Sequence, residues 1–222
     1  MNSLNHVAFI MDGNGRWGKK KRRGRNFGHL KGVETVKKIV SACIGNKIPI
    51  VTFYVFSSEN WKRPKSEIKY LFSLIKSYFL KEIKNIISEG IKINILGEMS
   101  PLPKDIKSVL KKTIKSTKKN KNIIVNLAIN YGSKNEILQA SKKAKKNLTV
   151  KNIEKNLYTK NHPSPEILIR TGGHCRLSNF LLWQMAYTEI YFLKKLWPEF
   201  TPSDLKKIIK NFKKLKRNFG SI

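Results

Sequence analysis

Six runs of β-branched and aliphatic residues constrain the fold of this chain more than any other feature. They are HVAFIM (6–11), IVTFYVF (50–56), IKINILG (91–97), NIIVNLAIN (122–130), EILIRTG (166–172) and TEIYFL (188–193). Several are apolar without interruption, as strands are when both faces of their sheet are covered. Between the runs, apolar residues recur at helical spacing. One stripe holds Val33, Val36, Val40, Cys43 and Ile44. A longer one holds Ile68, Leu71, Phe72, Ile75, Tyr78, Phe79, Ile83 and Ile86, and a third holds Leu205, Ile208, Ile209, Phe212 and Leu215. Pro101 and Pro103 precede a further helix, and Ser133 or Lys134 begins another. This alternation predicts an α/β fold: one domain over 1–222, with a mostly parallel six-stranded sheet flanked by helices. A chain of 222 residues needs no disulfide or metal to build its core. The lysine-rich segment 142–160 is the expected irregular stretch.

The charge is extreme: 46 Lys and Arg stand against 14 Asp and Glu, a formal net charge of +32. Such a balance points to nucleic acid, an anionic membrane surface or an anionic substrate. The kind of base narrows the choice. Only eight positions are arginine: Arg16, Arg22, Arg23, Arg25, Arg63, Arg170, Arg176 and Arg217. Lysine is dispersed wherever a solvated charge suffices, so the remaining arginines mark sites where a two-pronged contact matters. A nucleic-acid binder would gather its bases on one face with aromatic stacking positions. Here arginine sits at glycine-rich turns instead, so no specific nucleic acid is expected. Cys43 and Cys175 lack metal-ligand spacing and read as buried thiols of a reducing cytosol. No apolar run approaches ~20 residues and no secretory signal opens the chain, so a cytoplasmic location is expected.

In open α/β sheets ligands bind beyond the carboxyl ends of the strands. Three of those ends carry unusual turns: MDGNGRW after the first strand, FSSENWKRP after the second and RTGGHCRLSNF after the fifth. Together they hold Arg16, Arg63, Arg170 and Arg176, and Arg25 lies just downstream of the first. The turns are expected to face one another across one edge of the sheet. Gly13 and Gly15 allow close backbone approach, and their N–H groups suit phosphate oxygens. Gly172 and Gly173 open the fifth turn, where Arg170, Arg176 and Ser178 supply donors. Ser178 is also expected to cap a helix over NFLLWQMAY. Asp12, a lone carboxylate between two anion clefts, would repel a diphosphate unless it held a cation. Mg²⁺, bound through one or two carboxylates and phosphate oxygens, resolves the conflict. Two diphosphate sites, a Mg²⁺ carboxylate and an apolar interior suggest the joining of two apolar diphosphates.

HVAFIMDGNGRW, FGHLKG, FYVFSSENWKRP, NYG and RTGG..R.SNFLLWQMAYTEIYF, in this order, resemble the cis-prenyltransferase family, on its bacterial undecaprenyl diphosphate synthase side. The resemblance runs from residue 6 to about 220. It implies a homodimer with a hydrophobic tunnel that adds isopentenyl diphosphate to farnesyl diphosphate with cis double bonds. The expected product is undecaprenyl diphosphate, the lipid carrier precursor for cell-wall glycan. It implies Asp12 as the residue for Mg²⁺ and diphosphate, aided by Glu189 at the metal. Gly13, Asn14, Gly15, Arg16, Trp17, Arg25 and His29 would cradle the allylic diphosphate. Ser57, Ser58, Glu59, Asn60, Trp61 and Arg63 would form a mobile loop over both substrates. Asn60 is one candidate proton acceptor, with product diphosphate and water as the others. Arg170, Arg176, Leu177 and Ser178 would hold isopentenyl diphosphate. The resemblance and the charge together imply peripheral contact with an anionic membrane at its inner face.

The chain departs from the family pattern at three places. His174 stands where an acidic residue is usual and Cys175 where some members carry histidine. Ser133 and Lys134 replace Gly-Arg after Gly132. The C-terminal Arg-x-Gly element reads Asn218, Phe219, Gly220, with Arg217 one place early. A non-catalytic partner subunit would have lost the first-turn acid, whereas Asp12, Asn60, Arg170 and Glu189 are all present.

Overall fold

The structure is a computed structural model that describes residues 2–218. Phe219 and Gly220 of the C-terminal element lie outside the described residues. The six predicted strands form one parallel sheet in the order β3-β4-β2-β1-β5-β6. Within the chain two compact units can be distinguished.

The first unit comprises Met1–Pro49, Ser164–Arg176 and Gln184–Ile222. It holds strands β1 (His6–Ile10), β5 (Ile167–Arg170) and β6 (Glu189–Phe192), and helices α1 (Asn14–Lys20), α2 (Gly24–Gly45) and α7 (Pro202–Lys214). In register, Val7 lies beside Ile167 and Ile10 beside Arg170; Ile167 in turn lies beside Glu189 and Arg170 beside Phe192. Every residue of β1 and β5 is buried, as their uninterrupted apolar runs predict. β6 alternates half-buried and exposed residues, the pattern of an edge strand. Phe9, Trp197 and Phe200 pack ring against ring under the sheet, and the Trp197 indole donates to the Gly32 carbonyl at 2.9 Å. Helices α1 and α2 meet backbone to backbone. A Cβ on Gly28 would lie 1.9 Å from the Asn14 carbonyl oxygen, and one on Gly18 2.0 Å from that of Gly24. Glycine is therefore obligatory at both positions, and it sets α1 against α2 just after the first turn.

The second unit comprises Ile50–Pro163 and Leu177–Trp183. Strands β2 (Ile50–Ser57), β3 (Ile91–Leu96) and β4 (Ile123–Tyr131) are its sheet, with β4 central. Helices α3 (Lys65–Ser88), α4 (Lys104–Thr117), α5 (Ser133–Lys143) and the short α6 (Val150–Glu154) complete it. Buried Asn126 donates to Thr52 and accepts from Asn94, a polar rung across all three strands. The register of β2 on β4 shifts between Tyr54 and Ser57, so the strand bends just before the turn it delivers.

One sequence expectation fails here. NFLLWQMAY forms turns and bends, not a helix. Ser178, Asn179 and Leu181 all adopt left-handed backbone, with φ of 51°, 62° and 46°. Residues in that region cannot continue a right-handed helix, so Ser178 caps none. The segment 142–160 is irregular apart from the end of α5 and the single short helix α6. Cys43 is buried, its thiol pushed up to about 12 by desolvation, but Cys175 is exposed, contrary to the expectation of two buried thiols.

Candidate functional site

In the first unit, the turns after β1 and β5 meet. The backbone of Asp12 is fixed first: its carbonyl accepts from the Trp197 N–H at 3.0 Å and from the Thr171 hydroxyl at 2.8 Å. Its carboxylate then takes one guanidinium on each oxygen. Arg170 Nη2 donates to Oδ2 at 3.0 Å, and Arg16 Nη2 to Oδ1 at 3.3 Å. Arg16 also donates to the Gly172 carbonyl at 2.7 Å, which ties the first turn to the fifth. The two arginines differ in setting. The Arg170 side chain is 4% exposed and that of Arg16 47%, with the Asp12 carboxylate between them at 29%. Arg170 holds a further partner, the Arg176 carbonyl, through Nη1. The side chain of Arg176 itself is exposed.

The glycines of these turns serve different ends. Gly13 sits at φ 104°, where a side chain would be strained and would meet Leu196 at 2.7 Å. Gly15 leaves room for the Arg25 guanidinium, which a Cβ would meet at 2.8 Å. The N–H groups that precede the first intrahelical bond of α1, from Trp17 to the Gly13 carbonyl, have no partner within the helix. Gly172 and Gly173 do adopt positive φ, but their N–H groups donate to the carbonyls of Lys195 and Leu193, both at 2.8 Å. The donors of the fifth turn are its arginines rather than its glycine amides. Trp17 stacks on Phe27 with ring centres 5.8 Å apart, and His29 lies half-buried on α2.

Glu189 is not brought to Asp12. It begins β6 level with Ile167 and hence with Val7, whereas Asp12 lies past the end of β1. Five residues of strand separate the two levels, roughly 16 Å. Glu189 instead approaches Arg217 at 3.5 Å. Within one chain the expected Asp12–Glu189 pairing on a metal is therefore not met, because a parallel sheet puts the start of one strand far from the end of its neighbours.

In the second unit, Ser58–Lys62 forms a single turn of 3-10 helix. The Asn60 side-chain oxygen accepts the Ser57 N–H at 3.1 Å, half of a reciprocal cap on that turn. Trp61 packs against Phe56 and Phe72 and donates its indole N–H to Asn130 at 2.8 Å. Arg63 pairs with Glu67 at 3.2 Å. Glu59 accepts from the Asn179 amide at 2.8 Å. Burial would raise the Glu59 carboxyl, but hydrogen bonds from Asn179, its own backbone N–H, Ser57 and Ser58 outweigh it and hold the group below the ordinary carboxylate range. Glu59 is thus an anion, unsuited to donate a proton at neutral pH. Leu177 is half-buried, and the carbonyl of neighbouring Ser178, itself exposed, accepts from the Tyr54 hydroxyl at 3.3 Å.

Two residues of this cluster, Asn179 and Ser133, were not among the site residues expected from the sequence. Asn179 joins Glu59 to the turn after β4, where its side-chain oxygen accepts the Lys134 N–H and its carbonyl the Ser133 N–H. Ser133, fully buried, accepts the Leu182 N–H on its hydroxyl at 2.9 Å. The only sequence signal was an asparagine after serine, a residue that tolerates left-handed backbone.

The donor chemistry suits a metal that arrives on a substrate. Among the described residues no three His, Cys, Asp or Glu side chains gather to cage an ion. One hard carboxylate beside arginines fits Mg²⁺, which binds through one or two carboxylates and completes its shell with phosphate oxygens and water. Asp12 is the carboxylate that could hold such an ion.

The family model for undecaprenyl diphosphate synthase, Prenyltransf, matches residues 10–220. The chain belongs to this family of isoprenyl transferases. The isoprenyl transferase of Helicobacter pylori (strain ATCC 700392 / 26695) is 42% identical over 230 residues, covering 100% of this chain and 98% of that one. That of Clostridium tetani is 41% identical over 227 residues, covering 98% of this chain and 89% of the relative. A solved structure described as a probable undecaprenyl diphosphate synthase from Campylobacter jejuni is similar with a TM-score of 0.86 at 34% identity, over 100% of both chains. Lavandulyl diphosphate synthase from Lavandula x intermedia, in complex with dimethylallyl diphosphate, gives a TM-score of 0.94 at 30% identity, over 98% of both chains. The family membership makes this chain a transferase of isoprenyl groups, and no described helix is long and apolar enough to cross a membrane.

Proposed function

We propose that this isoprenyl transferase condenses isopentenyl diphosphate with farnesyl diphosphate, sets a cis double bond at each addition and makes undecaprenyl diphosphate. The observation that carries the reading is the Asp12 carboxylate held by Arg16 and Arg170 where two turns meet past the strand ends. Asp12 is the residue that would hold Mg²⁺. When bound, the ion neutralises charge that builds on a departing diphosphate. The chain's own groups do the rest. The first-turn N–H groups, Arg16, Arg25 and His29 take the allylic diphosphate. Its C–O bond breaks and the diphosphate leaves with the electron pair, which the same donors stabilise. The terminal alkene carbon of isopentenyl diphosphate bonds to the allylic carbon, and a proton leaves its C2. Arg170 positions Asp12 while exposed Arg176 clamps the isopentenyl diphosphate. Ser57, Ser58, Glu59, Asn60, Trp61, Arg63, Leu177 and Ser178 keep the substrate contacts that the resemblance implies. The Asn60 oxygen, already accepting one N–H, retains a lone pair for the proton, as product diphosphate and water do.

Tyr187, Ile190 and Phe192, exposed on and before the edge strand β6, support a homodimer formed through that edge. A homodimer would also let Glu189 reach an Asp12-bound ion from the second copy. We place the enzyme in the cytoplasm, with peripheral contact to an anionic membrane where a lipid product is used. The test is chromatography of the lipid made from farnesyl and labelled isopentenyl diphosphate. A ladder ending at eleven units (about C55) supports the reading, and a product that stops after one addition would replace it with a short-chain synthase.

A further inference from the structure

The lysine run that starts at the end of α5 is a sequence feature that the catalytic reading does not use. Lys142, Lys143, Lys145, Lys146, Lys151, Lys155 and Lys160 are all exposed, against a single acid in the segment, Glu154. At the middle of the run the chain displays two aliphatic side chains to solvent: Leu148 is 64% exposed and Val150 62%. They are held outward by a built turn. The Asn152 side chain donates to the Asn147 carbonyl at 2.9 Å, and the Thr149 hydroxyl accepts the Asn152 N–H at 3.3 Å. Leu148 and Val150 therefore flank a capping threonine, and the turn that presents them is closed by hydrogen bonds on both sides.

One helix of the second unit supplies a contrast. Helix α4 is also lysine-rich, with Lys111, Lys112, Lys115, Lys118 and Lys119 exposed at or just beyond it, yet it shows no large exposed apolar side chain. Its inward face carries Ile106 and Leu110, both buried, so it is an ordinary amphipathic helix. Diffuse lysine accounts for α4 but not for a turn that pairs a basic collar with an apolar tip.

We infer that the turn Asn147–Val150 and its lysine collar form the surface by which this enzyme docks on an anionic lipid bilayer. The inference deepens the membrane contact proposed above and rests on that reading. Leu148 and Val150 enter the boundary between headgroups and acyl chains, while the lysines meet the headgroup charge and bury their stems along the interface. The occupant is a bilayer rather than a protein groove or a nucleic acid. The apolar element is a tip of two aliphatic side chains, the collar sets seven lysines against one acid, Glu154, and a single exposed aromatic, Tyr158, gives no series of stacking positions for bases.

The test is flotation of the full chain with vesicles of phosphatidylcholine alone or containing phosphatidylglycerol, alongside a prenyl transfer assay with soluble substrates. Three variants are compared: Leu148→Asp with Val150→Asp; Lys145→Gln with Lys146→Gln and Lys151→Gln; and Lys111→Gln with Lys112→Gln and Lys115→Gln on α4. All replaced side chains are exposed, so folding and prenyl transfer should be unchanged. The wild type should float only with the anionic vesicles. The first two variants should lose binding by roughly tenfold or more, and the α4 variant by less than about twofold. Equal loss in the two lysine variants would overturn the inference in favour of diffuse charge. So would full binding by the Leu148→Asp, Val150→Asp protein, or no flotation of the wild type. A wild type that floats but transfers no isoprenyl group would refute the enzymatic reading and leave the docking surface standing.

Discussion

Asp12 and Glu189 belong to the same unit, and each stands beside an arginine, yet the fold gives them opposite circumstances. Asp12 lies past the carboxyl end of β1, its backbone tied by Trp197 and Thr171 and its two oxygens by Arg170 and Arg16. Glu189 opens an edge strand at the other end of the sheet, with Arg217 at 3.5 Å as its partner. In a parallel sheet all carboxyl ends share one edge, so a residue just after a strand joins a ligand site and a residue at a strand start does not. An acid's identity is thus a weaker guide to its role than its place along the strand.

The largest effect should come from Asp12. Asp12→Asn keeps the shape and removes the charge. We expect kcat to fall on the order of 10³-fold, since several kcal/mol of metal-assisted stabilisation disappear. Because buried Arg170 loses its counter-charge, stability should fall as well, by about 1–3 kcal/mol. Steady-state kinetics and urea unfolding measure the two. Near-wild-type turnover would remove Asp12 from the chemistry.

A mixing experiment sharpens the comparison. If Glu189 serves an Asp12-bound ion, the register allows it only from a second copy. Asp12→Ala and Glu189→Ala proteins, each nearly inactive, should then recover activity when their subunits exchange. Half of the exchanged dimers would carry one intact site of two, giving about a quarter of wild-type activity. No recovery, with subunit exchange verified by mass spectrometry, would contradict action across the dimer.

The two arginines of the fifth turn should separate next. Arg170 is buried on Asp12 and the Arg176 carbonyl, whereas Arg176 points to solvent. Arg170→Lys should lower both the melting temperature and kcat, because one ammonium cannot span two partners. Arg176→Lys should raise the KM for isopentenyl diphosphate by roughly tenfold with the melting temperature unchanged. Equal thermal losses in both would mean that Arg176 is structural.

The smallest effect is expected at Cys175. The thiol is exposed, and Mg²⁺ prefers oxygen to sulfur, so Cys175→Ser should keep its half-saturating Mg²⁺ and most of its rate. A several-fold shift in the Mg²⁺ titration would make the thiol a ligand. A shift confined to His174→Ala would assign the role to its neighbour.

What could be read from the sequence follows the range of the forces involved. The strands and the long helix α3 were legible because periodic burial writes itself into every residue of an element. Asp12, Arg16 and Arg170 were legible because strand ends, glycine and scarce arginine coincide there. The turn over Ser178–Leu182 was not. Its apolar letters mimic a helix, and its left-handed residues depend on Asn179 and Ser133, partners more than 40 positions apart. Nor was the separation of Glu189 from Asp12, which is a property of register rather than of either residue.

The most direct test of the account is the transfer of labelled isopentenyl diphosphate into butanol-extractable lipid. It is measured with farnesyl diphosphate and Mg²⁺, and again with each left out or with EDTA added, for the native and Asp12→Asn proteins. The account predicts extractable label only in the native protein with all components, restored after EDTA by added Mg²⁺. Label that forms equally in EDTA, or equally in Asp12→Asn, would contradict it.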